Sequence, residues 1–342
     1  MVTGDSKLIR RTRTDIEAWE ATNLSPAATR AADSRGRAEP EPLDPVRTVF
    51  QRDRDRILHS KAFRRLKHKT QVFMNPDGDH FVTRLTHTLQ VTQIGRSLAV
   101  GLGLNEALTE AICLGHDVGH SPFGHTGEDA LTPYVKGEWH HAAQSVRILD
   151  RLEPINLTWE VRDGIRAHSW KIDPPPATQE GMVCRFADRI AYLTHDVDDA
   201  VRAGVIGYHH LPDGPRRVFG EPGSEWISVM IDAVITESVA QGTVSMTEPV
   251  LEAMHDIRAF MFERVYLRPE AEAEREQAIE IIQSLVEHYR KHPDAIPDSY
   301  RDETDPTLAA IDYVAGMTDR FAIRDFERLG GVMKTDLAGS TP

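Results

Sequence analysis

Cysteine is nearly absent from this chain: 342 residues hold two, Cys113 and Cys184, neither in a CxxC pair. That excludes a disulfide framework and a thiolate metal site, and it fits a reducing compartment. No run of apolar residues approaches the roughly 18 needed to span a bilayer. The first 14 residues are charged and lack the apolar core of a signal peptide, so a cytoplasmic protein with no membrane partner is expected. Basic charge is not in surplus either. Lys and Arg number 40 against 53 Asp and Glu, a net charge of −13, which disfavours a dedicated duplex binder. A local basic cluster can still outweigh a global charge for a small anionic ligand. Alternating apolar and polar runs of strand type are also scarce.

What is present is helical periodicity. Leu85, Leu89 and Thr92 recur at i, i+4 and i+7, and Leu108, Ala111 and Ile112 at i, i+3 and i+4. Ala143–Leu152, Phe186–Val201 and the long amphipathic stretch Glu270–Tyr289 behave likewise. The reading is all-α, in three parts. Residues 1–45 form a polar N-terminal extension, turn-rich or disordered from Asp33 to Pro45. Residues 46–203 form the helical core that carries the chemistry. Residues 204–342 form a C-terminal helical region, entered through Gly204–Ser224, whose five glycines and three prolines suggest a hinge or lid. The segment from Ser121 to Asp129 reads as a loop opening into a helix, with Thr126 and Asp129 as a capping box.

The sharpest motif is Gly115-His116-Asp117-Val118-Gly119-His120-Ser121-Pro122-Phe123-Gly124-His125. An adjacent His-Asp pair closes an apolar helix, and imidazole and carboxylate both ligate divalent metals. Adjacent helical residues diverge by about 100°, so further ligands must come from elsewhere. His87 on the preceding helix and Asp188 on a later one are the candidates. Such a mixed N and O set suits Mn, Fe, Mg or Zn.

Together, Arg84-Leu85-Thr86-His87, the Gly115–His125 motif and Ala187-Asp188-Arg189-Ile190-Ala191-Tyr192 with His195-Asp196 resemble the HD-domain metal phosphohydrolases. More narrowly, the chain resembles the bacterial deoxynucleoside triphosphate triphosphohydrolases, or dGTPase-like proteins. Three flanking stretches carry the narrower likeness: Gln51–Arg56 running into Ser60–Leu66, then Lys69–Phe73, then Asp312–Arg320. The likeness runs from about residue 32 to about residue 322.

The resemblance implies an HD-domain helical core with His87, His116, Asp117 and Asp188 as ligands. The ion would be Mn²⁺ or Mg²⁺ first, with Fe, Co, Ni and Zn also admitted. It implies hydrolysis of a dNTP, dGTP foremost, to deoxynucleoside and tripolyphosphate. His125 is the candidate proton donor to the leaving 5′ oxygen, or a residue that orients the water, with Glu128 holding its ring. His120 and His141 match further active-site histidines. The second is uncertain in register because His140 precedes it, and because Ala142 stands where the family often has Asn. Gln71 and Arg84 resemble contacts to deoxyribose and phosphate, and Arg189, Tyr192 and Asp196 another substrate set. A helix would place Asp188, Tyr192 and Asp196 along one side.

Within the basic run Lys61–Lys69, Arg64 is the candidate phosphate contact, since Arg suits bidentate binding. His168 has no assigned role, His209-His210 reads as a loop feature, and Trp139, Trp159, Trp170 and Trp226 as core or interface residues. The family further implies a homo-oligomer, tetramer or hexamer, and a dNTP activator bound between subunits. Two alternatives stay open. One is another HD-family nucleotide phosphatase or phosphodiesterase. The other is a non-catalytic nucleotide-sensing or single-strand nucleic-acid-binding protein.

Overall fold

A computed structural model describes residues 8–72, 81–301, 304–335 and 337; Phe73 of the Lys69–Phe73 stretch, residues 1–7 and the side chain of Glu270 lie outside that set. Fifteen α-helices form the body, and no strand occurs among the described residues. They are α1 (Arg13–Asn23), α2 (Val49–His59), α3 (Lys61–Arg65), α4 (Arg84–Leu102) and α5 (Glu106–Gly115). Then come α6 (Gly124–Leu131), α7 (His141–Arg147), α8 (Trp159–Ala167), α9 (Gln179–Arg202) and α10 (Asp213–Phe219). The last are α11 (Ser224–Gln241), α12 (Glu248–Met261), α13 (Glu272–Lys291), α14 (Pro306–Ala315) and α15 (Asp319–Arg328). A π-helical turn extends α7 to Leu152 and another extends α12 to Tyr266.

Two hydrophobic cores hold these helices. The first packs α2, α4, α5, α8 and α9 together and continues to α11 and α12, through fully buried Ile57, Ile94, Leu98, Ile112, Ile165 and Ile190. Each such side chain contributes about 1.5–3 kcal/mol by leaving water. The second joins α13, α14 and α15 to α6, through Leu131, Ile281, Ile282, Leu285, Val314 and Ala322.

Several expectations need correction. On α4, Thr92 is buried and so are Thr88, Val91 and Ile94, which the sequence places beside the stripe, whereas Leu89 is 49% exposed. The N-terminal segment is not a loose link, because Arg37 pairs with buried Asp53 and Glu41 with Arg56 (2.7 Å). Residues 204–224 hold α10, whose Phe219 is buried and lies 5.2 Å from the Trp226 ring. Pro215 sits in the first turn of α10, where the missing N–H is harmless. Thr126 caps nothing: α6 starts at Gly124, and Phe123 stands before it with φ 61°.

Candidate active site

The loop from His116 to Phe123 is where the two cores meet. Its shape depends on a close approach: a Cβ on Gly119 would fall 2.2 Å from the Ser145 nitrogen and 2.6 Å from the His141 carbonyl oxygen. With only hydrogen there, the Gly119 N–H donates to Ser145 Oγ (2.9 Å) and Ser145 Oγ donates to the His116 carbonyl (2.8 Å). The start of α7 is thereby tied to the His-Asp pair, and His141 enters the site. Of the two neighbouring histidines, His141 is the one whose ring meets Glu128. His140 stays outside as the cap of α7, accepting the Ala142 N–H at 3.2 Å.

His87, His116 and Asp188 bring one ligand atom each within 4.8 Å of one another, and Asp117 adjoins them. His87 Nε2 lies 3.2 Å from Asp188 Oδ1 and 3.9 Å from Asp117 Oδ2. His116 Nε2 lies 3.5 Å from Asp117 Oδ1 and 3.9 Å from Asp188 Oδ1. Donors about 2.1 Å from one ion stand roughly 3.0–3.4 Å apart at angles of 90–110°, so these spacings need only tenths of an ångström of closure. The chemistry of His116 fits an ion as well. Its Nδ1 lies 2.7 Å from the Cys113 carbonyl, which only accepts, so Nδ1 carries the hydrogen and Nε2 the lone pair. That Nε2 is buried and has no hydrogen-bond partner. The residues present therefore fit a divalent metal.

The carboxyls are prepared to stay ionised. Burial alone would raise Asp117, but His116, Arg84 and His120 around it hold its carboxyl well below the usual range. Burial likewise opposes ionisation of Asp188, and the His87 hydrogen bond and His116 outweigh it, bringing the carboxyl down to about 2. Burial pulls the His120 imidazole well below its ordinary value, with positive Arg84 adding to the effect. Arg84 Nη1 donates to Asp117 Oδ2 at 2.8 Å, and its Nε is buried and unpartnered.

A second group adjoins the first. Glu128 Oε1 accepts from His141 Nδ1 at 2.5 Å and lies 3.6 Å from His120 Nδ1. Its other oxygen reaches His125 Nδ1 only at 3.5 Å. Glu128 was expected to hold His125; its closer partner is His141. Burial would raise Glu128, yet His141 and His120 keep it well below the ordinary value. His125 stands 75% exposed at the mouth of this group. The rings of His120 and His141 stack at 4.1 Å. His168, unassigned from sequence, closes the group with Nε2 at 3.0 Å from His141 Nε2.

The candidate substrate contacts separate into those at the site and one away from it. Gln71 is half-buried and its Oε1 is buried without a partner. Arg189 lies over the Trp170 ring at 4.2 Å, its Nη1 is 3.4 Å from His255 Nε2, and its Nε has no partner. Trp170 is thus a cation platform beside the site as well as a packing residue. Tyr192 and Asp196 follow Asp188 along α9. Asp196 is buried, which pushes its carboxyl up to about 8, and Tyr266 Oη donates to it at 2.6 Å. Arg64 is exposed and donates to the His59 carbonyl at 3.0 Å. The basic-run member that reaches the site is Lys69, whose Nζ donates to the carbonyls of His120 and Ala315 (3.1 Å for the latter). Burial brings that ammonium down to about 7. The pair His209-His210 forms a short turn in which His210 Nδ1 accepts from Gly207 N–H at 2.9 Å, outside the metal-competent clusters found among the described residues.

Sequence reasoning did not find Lys69, Tyr266, His255 or Asp319 as site-shaping residues. The first sits in a run of cations that look alike in sequence, Asp319 lies in the Asp312–Arg320 stretch without a role assigned to it, and Tyr266 and His255 carry no local motif.

Comparison with known proteins agrees with this geometry. Residues 84–193 match the HD domain and residues 244–328 the phosphohydrolase-associated domain. A deoxyguanosinetriphosphate triphosphohydrolase-like protein of Caldanaerobacter subterraneus is 44% identical over 326 residues, covering 93% of this chain and 96% of the relative. One from Clostridium perfringens strain 13 is 41% identical, covering 93% and 97%. Among solved structures, a hypothetical protein from Aquifex aeolicus aligns with TM-score 0.52 at 20% identity, over 84% of this chain and 69% of that one. A phosphohydrolase from Bacteroides thetaiotaomicron aligns with TM-score 0.50 at 18% identity, over 80% and 67%. These two speak for the fold alone. Among the described residues no helix is long and apolar enough to cross a membrane. By sequence and by fold, the chain belongs to the HD-domain phosphohydrolases, in the family of deoxyguanosinetriphosphate triphosphohydrolase-like proteins.

Proposed function

We propose that this chain hydrolyses deoxynucleoside triphosphates, dGTP foremost, to deoxynucleoside and tripolyphosphate. The observation that carries the reading is the grouping of His87, His116 and Asp188, with Asp117 3.5 Å from His116, beside an exposed His125 and buried cations with unpartnered nitrogens. The names of the relatives support the substrate class.

A divalent ion held by those four residues would polarise a phosphoryl oxygen and lower the pKa of an attacking water. The other parts belong to the chain. Water oxygen bonds to the α-phosphorus and the bond to the 5′ oxygen breaks. The leaving oxygen takes a proton from His125, whose exposure lets it meet a bound nucleotide. Arg84 and Arg189 neutralise phosphate charge, and Gln71 offers its free Oε1 side to the sugar. Tyr192 lies against the deoxyribose and Asp196 accepts from, or donates to, its hydroxyl. Occupation by Mn²⁺ or Mg²⁺, a cytoplasmic setting, and assembly into a homo-oligomer with a dNTP activator complete the proposal.

Phosphorus NMR of dGTP turnover, with Mn²⁺ and then Mg²⁺, tests the reaction. Tripolyphosphate is the expected product. Orthophosphate or a nucleoside monophosphate would make the chain a phosphatase or phosphodiesterase instead. Tight dNTP binding with silence in every metal and in a mixture of all four dNTPs would make it a sensor.

Two substitutions probe the roles. His125→Ala should retain metal and substrate while turnover falls about 10²- to 10⁴-fold, the range for losing a general acid. If nucleotide binding collapses as well, His125 is a structural residue. Tyr192→Ala should raise kcat/KM for GTP relative to dGTP, because the ring leaves no room for a 2′ hydroxyl. An unchanged ratio removes Tyr192 from selectivity.

A further inference from the structure

Arg189 lies one residue beyond Asp188 on α9, so helical geometry turns it about 100° from that proposed ligand. It is only 9% exposed, yet among the described residues it forms no ion pair with a carboxylate. Burial pulls its pKa below the usual arginine value, with Arg258 adding to the effect and Tyr192 and Asp188 opposing it. Its Nε is buried with no hydrogen-bond partner. A buried guanidinium in this state is costly until an anion reaches it.

Two neutral groups hold it instead. Its guanidinium carbon lies over the Trp170 ring, 4.2 Å from the centroid. That ring is fixed: Trp170 Nε1 donates to the Arg185 carbonyl (3.1 Å), and Phe186 meets the indole edge-on at 5.1 Å and 89°. Arg185, one helical turn before Arg189, ties the loop after α8 to α9 by donating to the carbonyls of Ala167 and Ile172 (2.7 Å each). The second holder is His255 on α12, whose Nε2 lies 3.4 Å from Arg189 Nη1. A guanidinium only donates, so that nitrogen carries the lone pair and the imidazole is neutral.

The neutrality of both holders matters. A carboxylate partner would fix the guanidinium as well, but an arriving phosphate would have to displace it and meet its repulsion. A π face and an imidazole lone pair orient the fork while leaving its positive charge intact. The cation is thus aligned in advance for a polyanion and not neutralised within the protein. α9 supplies it, and the loop after α8 and α12 align it, so the holders come from both segments that match known families.

We infer that Trp170 and His255 are positioning residues for the polyphosphate group of the substrate: they aim Arg189 at it and keep that cation free of any internal anion. The inference rests on the proposed hydrolysis of a nucleoside triphosphate, and it names residues that set affinity for the phosphate chain. Their effect belongs to binding, so variants should raise KM while kcat holds within a few-fold.

The probe is inorganic tripolyphosphate, titrated calorimetrically into the full chain as purified, with KM and kcat for dGTP measured beside it. Trp170→Leu should weaken tripolyphosphate binding and raise KM together by about 3- to 30-fold, the range of a cation–π contact. Trp170→Phe should restore most of that loss, because it keeps a π face. At the other holder, His255→Gln keeps an acceptor and should stay within about 2-fold of wild type. His255→Glu should bind most weakly, by about 10-fold or more, because it supplies the anion that Arg189 lacks. Circular dichroism and Mn²⁺ content should match wild type in all four variants, which separates alignment from folding. A Trp170→Phe no better than Trp170→Leu, or a His255→Glu that binds as His255→Gln does, overturns the inference, since packing alone would then explain both residues. A wild type that binds neither tripolyphosphate nor dGTP overturns the proposed function itself, so the two failures are distinct.

Discussion

Asp117→Ala should lose metal and turnover together. The carboxylate is the hub of the site: Oδ1 lies 3.5 Å from His116 Nε2, and Oδ2 accepts from Arg84 at 2.8 Å. Loss of an outer-shell partner of a metal ligand already weakens metal binding about 10- to 100-fold, so loss of a ligand should exceed that. Turnover falls to background with it. The variant has a second signature in the metal-free protein. Arg84 is only 3% exposed, and stripping one partner from a buried ion pair costs about 3–5 kcal/mol. Unfolding in urea should move accordingly, and Mn²⁺ should no longer raise the melting temperature as a ligand of the native state does. Asp117→Asn separates the two effects. Its amide oxygen can still accept from Arg84, so stability should recover in part while metal retention does not. Normal metal content and rate in the Ala variant would refute the ligand assignment.

Asp319→Ala should damage the enzyme from a different direction. Asp319 opens α15 and is buried. Its Oδ2 accepts from Thr70 N–H (2.8 Å) and Thr70 Oγ (2.5 Å), and its Oδ1 from Phe123 N–H (3.1 Å). Alanine leaves those donors without acceptors in a dry interior, at about 1–3 kcal/mol each, so a loss on the order of 3–5 kcal/mol is expected. Phe123 holds a left-handed φ of 61°, unfavourable for a bulky residue and kept by its surroundings. Release of its N–H should let the loop relax and carry His125, two residues on, out of line. The proposed metal ligands stand on α4 and α9 and just past the end of α5, and their affinity should hold within a few-fold. Urea unfolding, metal titration and turnover, measured on one preparation, decide the matter. A stability loss under 1 kcal/mol with full turnover would show that Asp319 fastens nothing of consequence.

The contrast between these residues explains what the sequence reveals and what it hides. His116, Asp117, His120 and His125 lie within ten positions, and Asp188, Tyr192 and Asp196 follow helical spacing, so the sequence singles them out, while the roles proposed for them come from the family resemblance. Lys69 differs from Lys61 and Lys67 only in being buried against His120 and Ala315, a property of the fold. Glu128 lies three residues from His125, which suggested that pairing, yet its shorter bond goes to His141, thirteen residues away. The start of α6 was misjudged for a related reason. Thr126 and Asp129 satisfy a capping pattern, but Asp319, 196 residues from Phe123, fixes where the helix begins. Glycine and proline counts over 204–224 marked breaks in the chain without showing that a helix lies between them. His168 had no motif at all: its place beside His141 depends on α8 ending where the Ile165 carbonyl meets its ring.

The division into two cores has a consequence for how this enzyme can change over evolutionary time. The proposed ligands lie on α4 and α9, helices of the first core, and directly after α5, another of its helices. His125 rides on α6, whose Ala130 and Leu131 belong to the second core with α13 to α15. Lys69, Asp319 and the ties of Gln144 and Arg147 to Asp312 (2.9 and 2.6 Å) span the seam. On the proposed roles, proton delivery and metal capture would stand on separate foundations. A substitution along the seam can slide His125 by a fraction of an ångström and retune the rate, while the ion stays as tightly held as before. Relatives sharing every ligand can then differ widely in speed, and the residues responsible would lie on α13 to α15, far from any recognisable motif.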